Sequence, residues 1–92
     1  MKRHSVFITR ATPEEATALL TSEGLLVHQN ALPRGLSREE MLREVARHDA
    51  VICQAPDRID ADVLAAAAPR CRIFANCAVG YDNIDIAAAN RL

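Results

Sequence analysis

Short strand-like runs alternate with helix-like segments along this chain, and that alternation constrains its fold more than any other feature. Runs rich in β-branched, leucine and cysteine residues predict strands at residues 5–9, 25–28, 50–53 and 71–75. A helical segment follows each of them, and the connections between them are short. This order predicts an α/β fold in which helices cover both faces of a parallel sheet.

The first helix has a clear start and stop signal. Thr12 is predicted to cap it, with Pro13 at the first helical position and Glu15 completing a capping box. Gly24 suits the left-handed conformation that often follows a helix. The inward face of the helix is expected to consist of apolar residues at helical spacing, namely Ala16, Leu19 and Leu20.

The later helices have similar signals. Ser37 and Glu40 form a second capping box, and Asp60 is predicted to cap the third helix. Either Asn83 or Asp82 is predicted to cap the last one. The buried stripes of the second and third helices are expected to be formed by Met41, Leu42 and Val45 and by Val63, Leu64 and Ala67.

The charge and hydropathy of the chain argue against two classes of partner. It has 11 basic and 12 acidic residues and a formal net charge of -1, so nothing attracts it to nucleic acid. No apolar stretch approaches the roughly 20 residues that span a bilayer, and no signal peptide is visible. We therefore expect a cytoplasmic protein that contacts no membrane.

The three cysteines do not form a C-x-x-C pair, and their odd number argues against a disulfide framework. Cys53 and Cys77 lie in apolar runs and are expected to be buried thiols. The histidines are scattered without the spacing of metal ligands, so no metal site is predicted.

Ligands of open parallel sheets bind beyond the carboxyl ends of the strands, where this sequence places three segments. The turn at Gly80 is the most suggestive, because glycine permits a positive φ or the close approach of another molecule, and successive N–H groups suit a carboxylate or phosphate. It is also consistent with a simple turn into the next helix. Arg10 and Arg58 are each placed either to pair with an anion or to lie in a solvated loop, where Arg58 would bridge Asp60 or Asp62.

Several nucleotide and catalytic sites are excluded by what the chain lacks. The three glycines are far apart, so there is no G-x-G-x-x-G loop for a dinucleotide. No Ser–His–Asp or Cys–His set can be assigned from position. A phosphate-receiver domain needs acids after the first strand and at the end of the third, where Thr9-Arg10 and Cys53-Gln54 stand.

Two strings point to a known family. The segments "DRIDADVL" (57–64) and "AVGYDNID" (78–85) resemble the amino-terminal segment of the D-isomer-specific 2-hydroxyacid dehydrogenases, and the second string matches their glyoxylate/hydroxypyruvate reductases letter for letter. The resemblance extends over essentially the whole chain. It implies a flavodoxin-like fold in which residues 1–92 form the amino-terminal part of the substrate domain. A fifth strand and the nucleotide-binding domain would lie outside this chain.

The resemblance also implies where a substrate binds. The backbone of Val79 and Gly80 would hold the carboxylate of a small 2-oxo or 2-hydroxy acid, and the loop at Ala55 and Pro56 would lie over the active site. The family's catalytic Arg, Glu and His belong to later segments, so no catalytic residue is expected here. The complete enzyme would use NAD or NADP, and this chain alone would bind neither. We expect the chain to form a homodimer or to self-associate in another way, because its sheet has open edges.

Two departures from the family pattern leave alternatives open. Pro56 stands where the family often has Thr or Ser, which removes a hydroxyl contact. Val79 stands where the related phosphite dehydrogenases carry a catalytic Lys, which favours a hydroxyacid over phosphite. The alternatives are a phosphite dehydrogenase-like relative and a stand-alone small-acid-binding or interaction module without catalysis.

Overall fold

A computed structural model of the chain describes residues 3–77, 80 and 83–91, and it confirms the alternation of strands and helices. The strands are β1 Ser5–Ile8, β2 Leu26–Gln29, β3 Ala50–Gln54 and β4 Ile73–Cys77. The helices are α1 Glu14–Ser22, α2 Arg38–Val45, α3 Ala61–Ala67 and α4 Ile86–Arg91. None of these helices is long and apolar enough to cross a membrane.

The strands form one parallel sheet in the order β2-β1-β3-β4, which is the flavodoxin-like order predicted from the family resemblance. The chain runs outward from β1 to β2 and then crosses back to β3 on the other side of β1. This reversal creates a switch point between β1 and β3, and ligands of such sheets bind there, beyond the carboxyl ends of the strands.

The main core lies between the sheet and the helices α2, α3 and α4. Strand side chains on this face include Phe7, Val51 and Cys53, all at most 5% exposed. Val6 and Ile8, which are also buried, alternate with Phe7 and therefore face the other side of the sheet, on which a right-handed β1–α1–β2 crossover places α1. The helices contribute Met41, Val45, Val63, Leu64, Ala67 and Ala88 to the core.

Most of the predicted helix-end signals are confirmed. The Ser37 side chain accepts a hydrogen bond from the backbone of Glu40, and the Glu40 carboxylate accepts one from the backbone of Ser37. The Asp60 side chain caps α3 by accepting from the Val63 N–H at 3.1 Å. Gly24 follows α1 with a φ of 85°, as predicted for a left-handed stop.

The start and the inward face of α1 differ from the prediction. Thr12 does not cap the helix: its N–H and hydroxyl both donate to the Gln29 side chain, and the helix begins at Glu14 after Pro13. Leu19 is 63% exposed. The reason is geometric, since α1 lies over the β1–β2 side of the sheet and turns part of its apolar surface away from it.

The fourth strand begins two residues later than predicted. Cys71 follows the turn after α3, where its N–H donates to the Ala67 carbonyl, and pairing with β3 starts at Ile73. One face of this edge strand is uncovered, which leaves Ile73 61% exposed and Cys77 exposed as well. The prediction of a buried thiol is therefore confirmed for Cys53 and wrong for Cys77.

Candidate functional site

The loop between β3 and α3 and the turn between β4 and α4 meet at the carboxyl end of the sheet. Four residues were predicted to bind the substrate. The structure describes three of them, Ala55, Pro56 and Gly80, and all three lie in these two segments. The fourth, Val79, lies outside the described residues, as does the alternative cap Asp82. The two segments are joined by hydrogen bonds from two asparagine side chains.

Asn83 supplies the first part of this connection. Its Nδ2 donates to the backbone carbonyls of Gln54 at 3.2 Å and Asp57 at 3.0 Å. Its own carbonyl accepts from the Ile59 N–H at 2.7 Å. One alternative of the prediction, a helix cap at Asn83, is therefore wrong. Instead, the Asp85 side chain accepts from the Ala88 N–H at 3.0 Å and caps α4.

Asn76, near the end of β4, supplies the second part. Its Nδ2 donates to the Gly80 carbonyl at 3.0 Å and to Asn83 Oδ1 at 2.9 Å. Asn83 Nδ2 donates back to Asn76 Oδ1 at 3.0 Å, so the two amides form a reciprocal pair. The Cys53 thiol donates to the same Asn76 oxygen at 3.5 Å, and burial raises the pKa of this thiol to about 11. At neutral pH Cys53 is thus a protonated neighbour of the pair and not a nucleophile.

Ala55 and Pro56 form the exposed tip of a tight turn that follows β3. The Asp57 N–H donates to the Gln54 carbonyl at 2.9 Å, and the Gln54 N–H donates to the Asp57 carboxylate at 2.8 Å. Both ends of the turn are therefore fixed to each other. The tip is presented to solvent on the side of the sheet where a ligand is expected.

Gly80 is exposed, and neither usual internal reason for a glycine applies to it. Among the described residues the left-handed region is occupied by Gly24, and Gly80 lies outside it. A Cβ built on Gly80 would meet no described atom within 4 Å. The positive φ considered from sequence is not adopted, and no residue that the structure describes occupies the space in front of this backbone.

The Asp57 carboxylate is a buried anchor that sequence reasoning missed. Its side chain is 1% exposed and accepts hydrogen bonds from the Thr9 hydroxyl and from Arg10 Nε, the latter at 3.1 Å. Of the two alternatives predicted for Arg10, the structure shows pairing with an anion, and that anion is a buried carboxylate of the same chain. The Arg10 guanidinium also lies close to Gly35, where an added methyl group would overlap it. The one sequence signal was the placement of Asp57 and Thr9 just after neighbouring strands.

Arg58 does not form the bridge that was predicted for it. Asp60 and Asp62 instead pair with Arg38 at 2.8 and 3.0 Å. The hydrogen bond from the guanidinium of Arg38 lowers the pKa of Asp60. Arg58 itself is exposed at the rim of the same end of the molecule.

The arrangement is suited to positioning a ligand. It presents an open backbone at Gly80 and a fixed turn at Ala55 and Pro56, joined by paired amides. Within the described ranges, no three His, Cys, Asp or Glu side chains gather in a way that could hold a metal ion.

Comparison with known proteins assigns the family. Residues 6–92 match the family described as "D-isomer specific 2-hydroxyacid dehydrogenase, catalytic domain". The chain belongs to this family.

Individual relatives agree with the assignment. A glyoxylate reductase of Thermococcus kodakarensis is 46% identical to this chain over 89 residues, which cover 97% of the chain and 26% of that relative. The PH0520 protein of Pyrococcus horikoshii OT3 superposes with a TM-score of 0.83 at 28% identity, covering 98% of this chain and 26% of the other.

A third relative shares the fold. The NAD⁺-bound 3-phosphoglycerate dehydrogenase of Entamoeba histolytica has a TM-score of 0.80 at 24% identity, with 98% of this chain and 30% of that one covered. The chain thus spans about a quarter of the length of the curated relatives that it matches.

Proposed function

We propose that this chain is the amino-terminal part of the substrate domain of an NAD(P)-dependent 2-hydroxyacid dehydrogenase of the glyoxylate reductase type. In the complete enzyme, a bound nicotinamide cofactor would supply or accept the hydride at the C2 carbon of a small 2-oxo or 2-hydroxy acid, and an enzyme acid–base group would supply or accept the proton of the hydroxyl group. The family resemblance assigns that acid, the remaining catalytic residues and the NAD or NADP site to segments beyond this chain. Residues 1–92 then contribute no catalytic group and bind no cofactor by themselves.

The contribution of this chain is to hold the substrate carboxylate through the backbone N–H groups of Val79 and Gly80. Backbone N–H groups at a bend donate to an anion without side-chain entropy cost, and an oriented carboxylate brings C2 to a defined position before hydride transfer. The observation that carries this proposal is the open space at Gly80. Because no described atom of the chain needs a glycine there, the approach of a ligand to the backbone explains the residue best.

The loop at Ala55 and Pro56 is proposed to form a second wall of the substrate site. It lies at the same end of the sheet as Gly80, and its backbone is bonded to the β4–α4 turn through Asn83. With Pro56 in place of a hydroxyl residue, this wall contacts the substrate through backbone and apolar atoms. A small substrate such as glyoxylate or hydroxypyruvate suits a wall of this kind.

The test is the reduction of glyoxylate and hydroxypyruvate by NADH or NADPH with the complete protein, comparing wild type with Gly80→Ala and Gly80→Val. We expect the KM for the acid to rise about tenfold or more, because the added side chain keeps the carboxylate away from the backbone N–H groups and small misplacements of a bound substrate have effects of this size. The free energy of unfolding should change by no more than about 0.5 kcal/mol in Gly80→Ala, because the added methyl group meets no described atom within 4 Å.

Gly24→Ala is the matched control. Its φ of 85° strains any other residue, so this variant should lose about 1–2 kcal/mol of stability while the KM for the acid stays the same. Unchanged catalytic efficiency in both Gly80 variants would exclude the assigned role.

We also propose that the protein is cytoplasmic and that the 92-residue chain self-associates when it is expressed alone. The β4 edge has no neighbouring strand within the described sheet, and Ile73, the first residue of β4, is 61% exposed. An unpaired edge with apolar side chains is a template for pairing with a second copy.

A further inference from the structure

We propose that Asn76 and Asn83 are positioning residues that set the carboxylate-binding turn at the correct distance from the Ala55–Pro56 loop. The inference rests on the proposed function and deepens it. Neither side chain is assigned a contact with substrate. They act through the backbone groups that they hold.

The two ends of the turn are held in different ways. On the side toward α4, the backbone is fixed without side chains, because Ile59 donates to the Asn83 carbonyl at 2.7 Å and Asp85 donates to the Ile59 carbonyl at 2.8 Å. On the side toward β4, the described contact of the Gly80 carbonyl is the hydrogen bond from Asn76 Nδ2. Among the described contacts, this hydrogen bond is therefore what ties the backbone of Gly80 to β4.

The pair uses all of the hydrogen atoms that its amides provide. The two N–H groups of Asn76 go to Gly80 and to Asn83. The two of Asn83 are shared among three acceptors, which are the carbonyls of Gln54 and Asp57 and the oxygen of Asn76. A carboxylate has no donor to replace them, so aspartate at either position would lose these bonds and place a negative charge against carbonyl oxygens.

The same contacts explain why the effect should reach both walls of the site. Asn83 ties the carbonyls at the two ends of the Ala55–Pro56 turn to the amide of Asn76, and Asn76 extends that tie to Gly80. The backbone pairing of β4 with β3 does not involve either side chain. Loss of an amide is therefore expected to move the two loops relative to each other while the sheet remains intact.

The experiment compares Asn76→Ala, Asn76→Asp and Asn83→Asp in the complete protein, with Asn90→Asp as the control. Asn90 is an exposed residue of α4, so its variant carries the same charge change away from the site. We expect the Asn76 and Asn83 variants to raise the KM for glyoxylate about tenfold or more, since small misplacements of a bound substrate have effects of this size. The KM for NADH or NADPH should stay within about twofold, because this chain holds no part of the cofactor site.

Asn76→Ala separates geometry from charge, since it removes the amide without adding a carboxylate. A lowered melting temperature with an unchanged KM for glyoxylate in the folded variants would mean that the pair is only structural, and would overturn the inference. If Asn83→Asp fails to fold, Asn76→Ala decides the question alone. A wild-type protein that reduces no 2-oxo acid with either cofactor would instead refute the proposed function, and this inference with it.

Discussion

Removal of the buried Asp57 carboxylate should lower the free energy of unfolding of this domain more than removal of an exposed carboxylate does. The carboxylate accepts hydrogen bonds from the buried Thr9 hydroxyl, from the Gln54 N–H and from Arg10 Nε. In Asp57→Ala, the first two donors lose their partner, at a cost of about 1–3 kcal/mol each. The Arg10 side chain is 30% exposed, so water screens its loss, which adds less than about 1 kcal/mol. The expected decrease in the free energy of unfolding is therefore about 2–7 kcal/mol.

Urea unfolding followed by far-UV circular dichroism measures this decrease. Asp57→Asn keeps one acceptor oxygen and the shape of the side chain, so it should cost less, about 1–3 kcal/mol. The control is Asp62→Ala, because the Asp62 side chain is 81% exposed and its ion pair among the described residues is a surface contact with Arg38, worth less than about 1 kcal/mol. Equal losses in Asp57→Ala and Asp62→Ala would refute the argument that the buried network anchors the end of the sheet.

Two further predictions concern acid stability and assembly. Hydrogen bonds from Arg34 and from the Ser37 backbone lower the pKa of Glu40 from 4.5 to about 2, so their contribution to stability is complete above pH 4.5 and is lost as the pH falls toward 2. Melting temperatures at pH 5.5 and pH 3 should therefore differ less in Glu40→Gln than in wild type, whereas Glu39→Gln, an exposed change, should behave like wild type. The 92-residue chain should sediment as a dimer or larger species at high concentration, and a stable compact monomer would contradict the proposed self-association.

The features that were predicted correctly from sequence depend on neighbours in the chain. The capping box of Ser37 and Glu40 and the cap at Asp60 join residues three positions apart. The left-handed Gly24 likewise depends on its own backbone. Because such interactions are available in any chain that starts a helix at that point, the sequence is sufficient to predict them.

Two of the incorrect predictions concern residues that had two available partners. Thr12 was placed to cap α1, but its hydroxyl binds Gln29, which the parallel pairing of β1 with β2 brings nearby. Asn83 was placed to cap α4, but its amide binds carbonyls 26 and 29 positions earlier in the chain. A local pattern gives no information about which distant acceptor will be within 3 Å.

The sequence by itself determined the parallel α/β architecture, most helix ends, and the end of the sheet at which a ligand would bind. It did so because strand and helix periodicity, capping and the direction of parallel strands are properties of short segments. Only the tertiary structure decided that Asp57 anchors Thr9 and Arg10, that Cys77 is exposed on an edge strand, and that Asn76 and Asn83 pair across two loops. These outcomes depend on which distant backbone and side-chain groups the folded sheet brings within hydrogen-bonding distance, and on which faces the remaining elements leave uncovered.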